Sequence, residues 1–121
     1  MSQSYNGKLY IVPTPISVNS FERAVVPYNI NIIKSIKIMV VENEKSTRAF
    51  LKSCGILPPY NDIEMHVLDK RSKHDDVIFI IKKIQGKTAG LFSDAGCPAI
   101  ADPGSELVRM AHDNKIGRAL V

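Results

Sequence analysis

The twelve residues Ser93-Asp-Ala-Gly-Cys-Pro-Ala-Ile-Ala-Asp-Pro-Gly104 hold two glycines, two prolines and two aspartates. A stretch built this way is shaped for a ligand. Gly96 lets backbone approach where a Cβ would intrude, and Pro98 and Pro103 stiffen the path and remove two N–H donors. An ordinary helix start explains part of it, with Asp102 as N-cap and Pro103 at the first helical position. That leaves Ser93-Asp-Ala-Gly96 for binding. Asp94 and Glu42 are the carboxylates best placed to meet polar groups of a ligand. Asp94 can serve as a base toward a hydroxyl, or only accept backbone N–H bonds in a turn. Nucleophilic catalysis is not indicated. Cys97 has no adjacent histidine or cation to lower its thiol pKa, and reads as a small packed residue. His66, His74 and His112 lack metal-ligand spacing, so no metal is expected.

The elements that must position these groups alternate. Leu9–Val12 is a buried strand halted by Pro13-Thr14-Pro15, a stiff loop suited to the wall of a site. That loop is not G-x-G-x-x-G, which disfavours a dinucleotide-binding oxidoreductase domain. Ser20 starts a short helix ending before Pro27, and Tyr28–Lys34 adds a helical turn or two. Ile36–Val41 is largely apolar and belongs in the middle of a sheet. Asn43 then caps a helix with Thr47, Phe50, Leu51 and Cys54 on one face, stopped by Gly55. Ile63–Leu68 alternates as a strand does. Lys70–Lys73 is a charged loop, followed by a helix capped by Asp75 or Asp76 with Val77, Ile80, Ile81 and Ile84 inward. Ala89–Phe92 is a strand that enters the loop at Ser93. A last helix buries Leu107, Val108 and Ala111, and Gly117–Val121 begins another apolar run. The pattern predicts one α/β domain over residues 1–121, an open and mainly parallel sheet of about five strands flanked by helices. In a parallel sheet the loops Pro13–Ser17, Glu42–Lys45 and Ser93–Pro98 share the carboxyl edge, where such sheets bind ligands.

Composition narrows the setting. Cys54 and Cys97 stand in unlike contexts, which fits a reduced cytoplasmic protein better than a disulfide framework. The opening MSQSYNGKLY is not a signal sequence, and no apolar run nears the roughly 20 residues that span a bilayer, so no membrane partner is expected. Net charge is +4, clustered at Lys34/Lys37, Lys45/Arg48/Lys52, Lys70/Arg71/Lys73 and Lys82/Lys83/Lys87. These clusters permit a non-enzymatic RNA-binding module, although solvated faces are the ordinary reading of such charge.

Three segments, Leu9-Tyr-Ile-Val-Pro-Thr-Pro-Ile16, Val41–Leu51 and Ser93–Gly104, occur in the order seen in the tetrapyrrole (corrin/porphyrin) methylase superfamily. The chain resembles the N-terminal domain of that superfamily, nearest the branch containing the ribosomal RNA small subunit methyltransferase I. Ser17 stands where that branch usually has glycine, and the middle segment lacks its Asp-Thr-Arg order. The resemblance implies an S-adenosylmethionine-dependent methyltransferase acting on a tetrapyrrole or on a ribose 2′-hydroxyl of ribosomal RNA. It also implies a homodimer, and a second, C-terminal α/β domain that closes the cofactor cleft and lies outside this chain. Carried over by position, Pro13, Thr14, Pro15 and Ile16 form the first loop at the cleft. Asp94, Ala95, Gly96, Cys97, Pro98 and Ile100 wrap the cofactor, with Asp94 the catalytic candidate. Transfer of a methyl group from a sulfonium needs alignment and dryness rather than a covalent intermediate, which matches stiff loops without a nucleophile.

Overall fold

The computed structural model describes residues 6–14, 29–94 and 103–121. Five strands and four helices alternate along them: β1 (Lys8–Thr14), α1 (Ile30–Ser35), β2 (Ile38–Val41), α2 (Glu44–Ser53), β3 (Glu64–Val67), α3 (His74–Ile84), β4 (Thr88–Asp94), α4 (Pro103–Asp113) and β5 (Gly117–Leu120). The expected short helix from Ser20 to Pro27 lies outside the described residues. All strand pairings are parallel, in the order β3-β2-β4-β1-β5, so the α/β expectation holds.

Burial follows from strand alternation. In β2, Ile38 and Val40 face one side and Met39 and Val41 the other, and all four are buried. The first side is covered by α3 and α4 through Val77, Ile80, Ile81, Ile84, Leu107 and Ala111. The second is covered by α1 and α2 through Ile33, Phe50 and Leu51, with Phe50 edge-on to Phe92 at a centroid distance of 6.2 Å. Val108, expected inside, is only partly buried against the first cluster.

The helix ends are chemical. The Asn29 side chain accepts from the Ile32 N–H at 3.2 Å, and Asn43 accepts from the Ser46 N–H at 2.9 Å. Gly55 ends α2 at φ 82°, a torsion that a side chain resists. The start of α3 departs from expectation. Asp76 is not the cap; its carboxylate reaches back to accept the Lys73 N–H at 2.7 Å, which places Asp76 in the first turn and starts the helix at His74.

Two strands outrun their expected limits. Pro13 does not stop β1. The carbonyls of Gly7 and Ile11 accept from Gly117 and Val121, so by alternation Pro13 also faces the β5 side, past the last paired residue. A proline there forfeits no bond to β4. Ser93 and Asp94, read as loop, are strand because Pro13 and Thr14 supply them with partners.

Gly90 lies in the middle of β4, where a Cβ would stand 2.8 Å from Phe92 Cε1 and 3.0 Å from Ile36 Cδ1. Both neighbours are buried and hemmed in. Filling a strand glycine gains about 0.5–1 kcal/mol of backbone entropy, whereas overpacking costs about 1–3 kcal/mol; the clash wins. Gly90→Ala is expected to lower the urea midpoint by a net loss of about 1–2 kcal/mol with an unchanged m-value. An unchanged midpoint would show that the ring at Phe92 yields freely.

Candidate functional site

β2 and β4 are neighbours, yet they leave the sheet toward opposite faces. β2 runs into α2 on the Met39 side, and β4 is followed by α4 on the Leu91 side. Where neighbouring strands diverge in this way, a crevice opens outside their carboxyl ends. A cleft of about 390 Å³ sits there, within the roughly 300–1,000 Å³ typical of small-molecule sites.

Its walls come from four strand ends. Phe92 of β4 forms an apolar floor, buried and braced by Phe50. Thr14 closes β1, and its hydroxyl donates to the Ser93 carbonyl at 3.1 Å, tying the two central strands together at their exits. After β2 come Glu42, exposed, and Asn43, whose side chain is committed to capping α2. The first turn of α2 contributes Ser46 and Thr47; the Thr47 hydroxyl donates to the Asn43 carbonyl at 2.9 Å, which locks that turn. After β3 the turn Asp69–Arg71 completes the rim.

Of the residues proposed from sequence, Pro13 and Thr14 are the last two of β1, and Asp94, the last of β4, is in register with Thr14. Thr14 lines the cleft. Pro15, Ile16, Ala95, Gly96, Cys97, Pro98 and Ile100 lie outside the described residues. Glu42, read from sequence as a carboxylate facing ligand, is in the cleft wall. Asp69, Lys70 and Arg71 went unnoticed as site residues. The signal was there: they follow a strand, and in a parallel sheet every strand-to-helix turn lies on one edge. The remaining described thiol takes no part. Cys54 caps the far end of α2, roughly 10 Å along the helix from Thr47 in the cleft wall. Burial pushes its thiol pKa up, outweighing the lowering contact from Ser53, so it stays protonated and unreactive at neutral pH.

No protein-family model matches the chain. Comparison with curated proteins is informative.

The chain is similar to ribosomal RNA small subunit methyltransferase I.

The protein of that name from Leptospira biflexa is 34% identical over 113 residues, covering 91% of this chain and 43% of that protein. The one from Buchnera aphidicola is 34% identical, covering 93% of this chain and 37% of the relative. The one from Bacillus subtilis is also 34% identical, with 88% and 36% covered. The chain therefore spans about two fifths of the length of the curated relatives it matches. Among the described residues, no helix is long and apolar enough to cross a membrane.

Asn43 holds both the start of α2 and one cleft wall. Asn43→Ala is expected to cost about 1 kcal/mol, the usual value of an N-cap, while Asn43→Asp keeps an acceptor at that place and costs less. Denaturant midpoints of the two variants check this; equal losses would show that the side-chain bond to Ser46 carries no stability.

Proposed function

We propose that this chain is the cofactor-side domain of an S-adenosylmethionine-dependent methyltransferase whose acceptor is small-subunit ribosomal RNA. The observation that carries the proposal is the 34% identity to methyltransferases of that name over 113 residues, joined to a cleft at the carboxyl edge of the parallel sheet. The superfamily reading extends this to the tetrapyrrole methylases. The RNA acceptor is preferred to a tetrapyrrole because the matched relatives are named for ribosomal RNA.

The donor set fits the cofactor. S-adenosylmethionine carries a flat aromatic base, ribose hydroxyls and an amino-acid group; the cleft offers an aromatic floor at Phe92 and polar groups at Thr14 and Ser46. When bound, it supplies an electrophilic methyl group on a sulfonium. The chain's own residues have three tasks. The loops after β1 and β4, through Pro13, Thr14, Pro15, Ile16 and through Asp94, Ala95, Gly96, Cys97, Pro98 and Ile100, hold the cofactor largely by backbone groups. Stiff prolines keep the reacting atoms aligned, where misplacement by about 1 Å costs roughly 100-fold. A carboxylate, Asp94 in this reading, accepts the proton of the attacking ribose hydroxyl. Because the carboxylate that takes the proton and the sulfonium that gives up its methyl group would both lose their charge, excluding water would favour the reaction. The second wall is assigned to a further α/β domain of a cytoplasmic, dimeric protein, in keeping with the greater length of the relatives.

Three measurements test the proposal. In the two-domain protein, Gly96→Val is expected to weaken S-adenosylmethionine binding at least tenfold by calorimetry while leaving the circular dichroism unchanged, since a Cβ blocks close backbone approach. Equal affinity would reduce the loop to a connection. Transfer of tritiated methyl from S-adenosylmethionine to small-subunit ribosomal RNA, absent with a tetrapyrrole acceptor, is the activity expected. Residues 1–121 alone are expected to bind the cofactor about 100-fold more weakly than the two-domain protein and to transfer nothing. Three lost hydrogen bonds at about 1 kcal/mol each account for that factor. Equally tight binding by both would mean that one domain holds the whole site.

A further inference from the structure

We infer that the turn between β3 and α3 is a phosphate clamp, in which Lys70 and Arg71 hold the backbone of the RNA acceptor at the rim of the cleft; the inference rests on the RNA reading above. Three observations carry it. Both residues line the cleft that also holds Thr14, Glu42 and Phe92, so their charge borders the site rather than a remote face. Both are exposed, and among the described residues neither side chain has an ion-pair or hydrogen-bond partner. Lys37, by contrast, is paired with Asp62 at 2.8 Å, and His74 with Glu106. Finally, the turn is held in place from within. The Ser72 hydroxyl accepts the Asp69 N–H at 2.9 Å, the Ser72 N–H donates to the Asp69 carbonyl at 2.9 Å, and the Asp69 carboxylate accepts the Arg71 N–H at 2.9 Å. The one acid of the turn is thus engaged by backbone, and the two cations are left to solvent on a fixed support.

The chemistry matches a polyanion. The planar guanidinium of Arg71 can bind a phosphate through two parallel N–H bonds, and Lys70 adds a mobile point charge. The same cleft is lined by the carboxylate of Glu42, which repels phosphate and leaves the turn at Lys70 and Arg71 as the place for it. A nucleotide seated here has its phosphate on the β3 side and its ribose toward the exits of β2 and β4.

The other lysine cluster supplies the control. Lys82 and Lys83 lie in the last turn of α3, which ends just before β4 begins and hence at the amino edge of the sheet, away from the cleft. Anisotropy titrations of a short fluorescein-labelled single-stranded RNA, repeated over a salt series in the two-domain protein, compare wild type with Lys70→Gln/Arg71→Gln and with Lys82→Gln/Lys83→Gln. The clamp variant is expected to lose about tenfold or more in affinity at low salt, with a log–log salt slope shallower by about 1.4, two contacts at about 0.7 each for a single strand. The α3 variant, with the same loss of charge, should lose less than about twofold. Equal losses in the two variants would mean diffuse surface attraction and overturn the clamp, as would retention of affinity and slope by the Lys70/Arg71 variant. A wild-type protein that binds no RNA at any salt would overturn the RNA reading and the clamp together, whereas RNA binding and methyl transfer with an unaffected clamp variant would overturn the clamp alone.

Discussion

Seven consecutive parallel pairings join β1 to β4, from Lys8 opposite Thr88 to Thr14 opposite Asp94. Everything at the site hangs from this ladder. Parallel neighbours cannot be joined by a tight turn, so each exit must run into a crossover, and seven matched pairs bring both exits to the same height. The Thr14 hydroxyl, bonded to the Ser93 carbonyl, fixes the last rung. Had the ladder ended two residues earlier, at Val12 and Phe92, the polar ends of both strands would be free loop with no shared geometry. Gly90 matters for the same reason: only the absence of a side chain lets Phe92 and Ile36 close over the central strand.

A second constraint sets the shape of the cleft. β2 and β4 lie side by side but send their helices to opposite faces, and the space between the diverging chains cannot be filled by either one. The protein lines that space with groups whose hydrogen-bonding capacity is already partly used. Asn43 caps α2, Thr47 bonds back to Asn43, and Asp69 serves the backbone of its own turn. Such residues hold the wall still. Lys70 and Arg71 are different: both line the cleft, and among the described residues neither side chain has an ion-pair or hydrogen-bond partner.

Surface charge elsewhere contributes little to the fold. The Lys37–Asp62 pair is exposed at both ends, and although Lys37 holds the Asp62 carboxyl below its usual pKa, exposed pairs add little stability. The two aliphatic clusters flanking the sheet are what hold it. They bury Leu9, Val40, Leu91 and Ile84 on one side and Val12, Met39, Val41 and Phe92 on the other.

Much of this was legible in the residues themselves. The apolar period along Val77, Ile80, Ile81 and Ile84 declared α3, the largely apolar Ile36–Val41 declared a central strand, which in the fold begins at Ile38, and Asn43 and Gly55 marked the limits of α2. These signals are local: side-chain burial and helix capping depend on neighbours within a few residues. The alternation of elements was enough to predict parallel strands, and parallel strands were enough to put the loops after β1 and β2 on one edge. What sequence could not supply was strand order. That β4 lies between β2 and β1, so that Pro13 and Ser93 continue their strands instead of ending them, depends on pairing between segments about 80 residues apart. The inclusion of Asp69, Lys70 and Arg71 in the cleft has the same origin. As a string they are an ordinary charged turn; only the packing of β3 beside β2 brings them to face Glu42 and Thr14. Local chemistry decided which elements form, and long-range pairing, which no short window of sequence encodes, decided which of their ends meet.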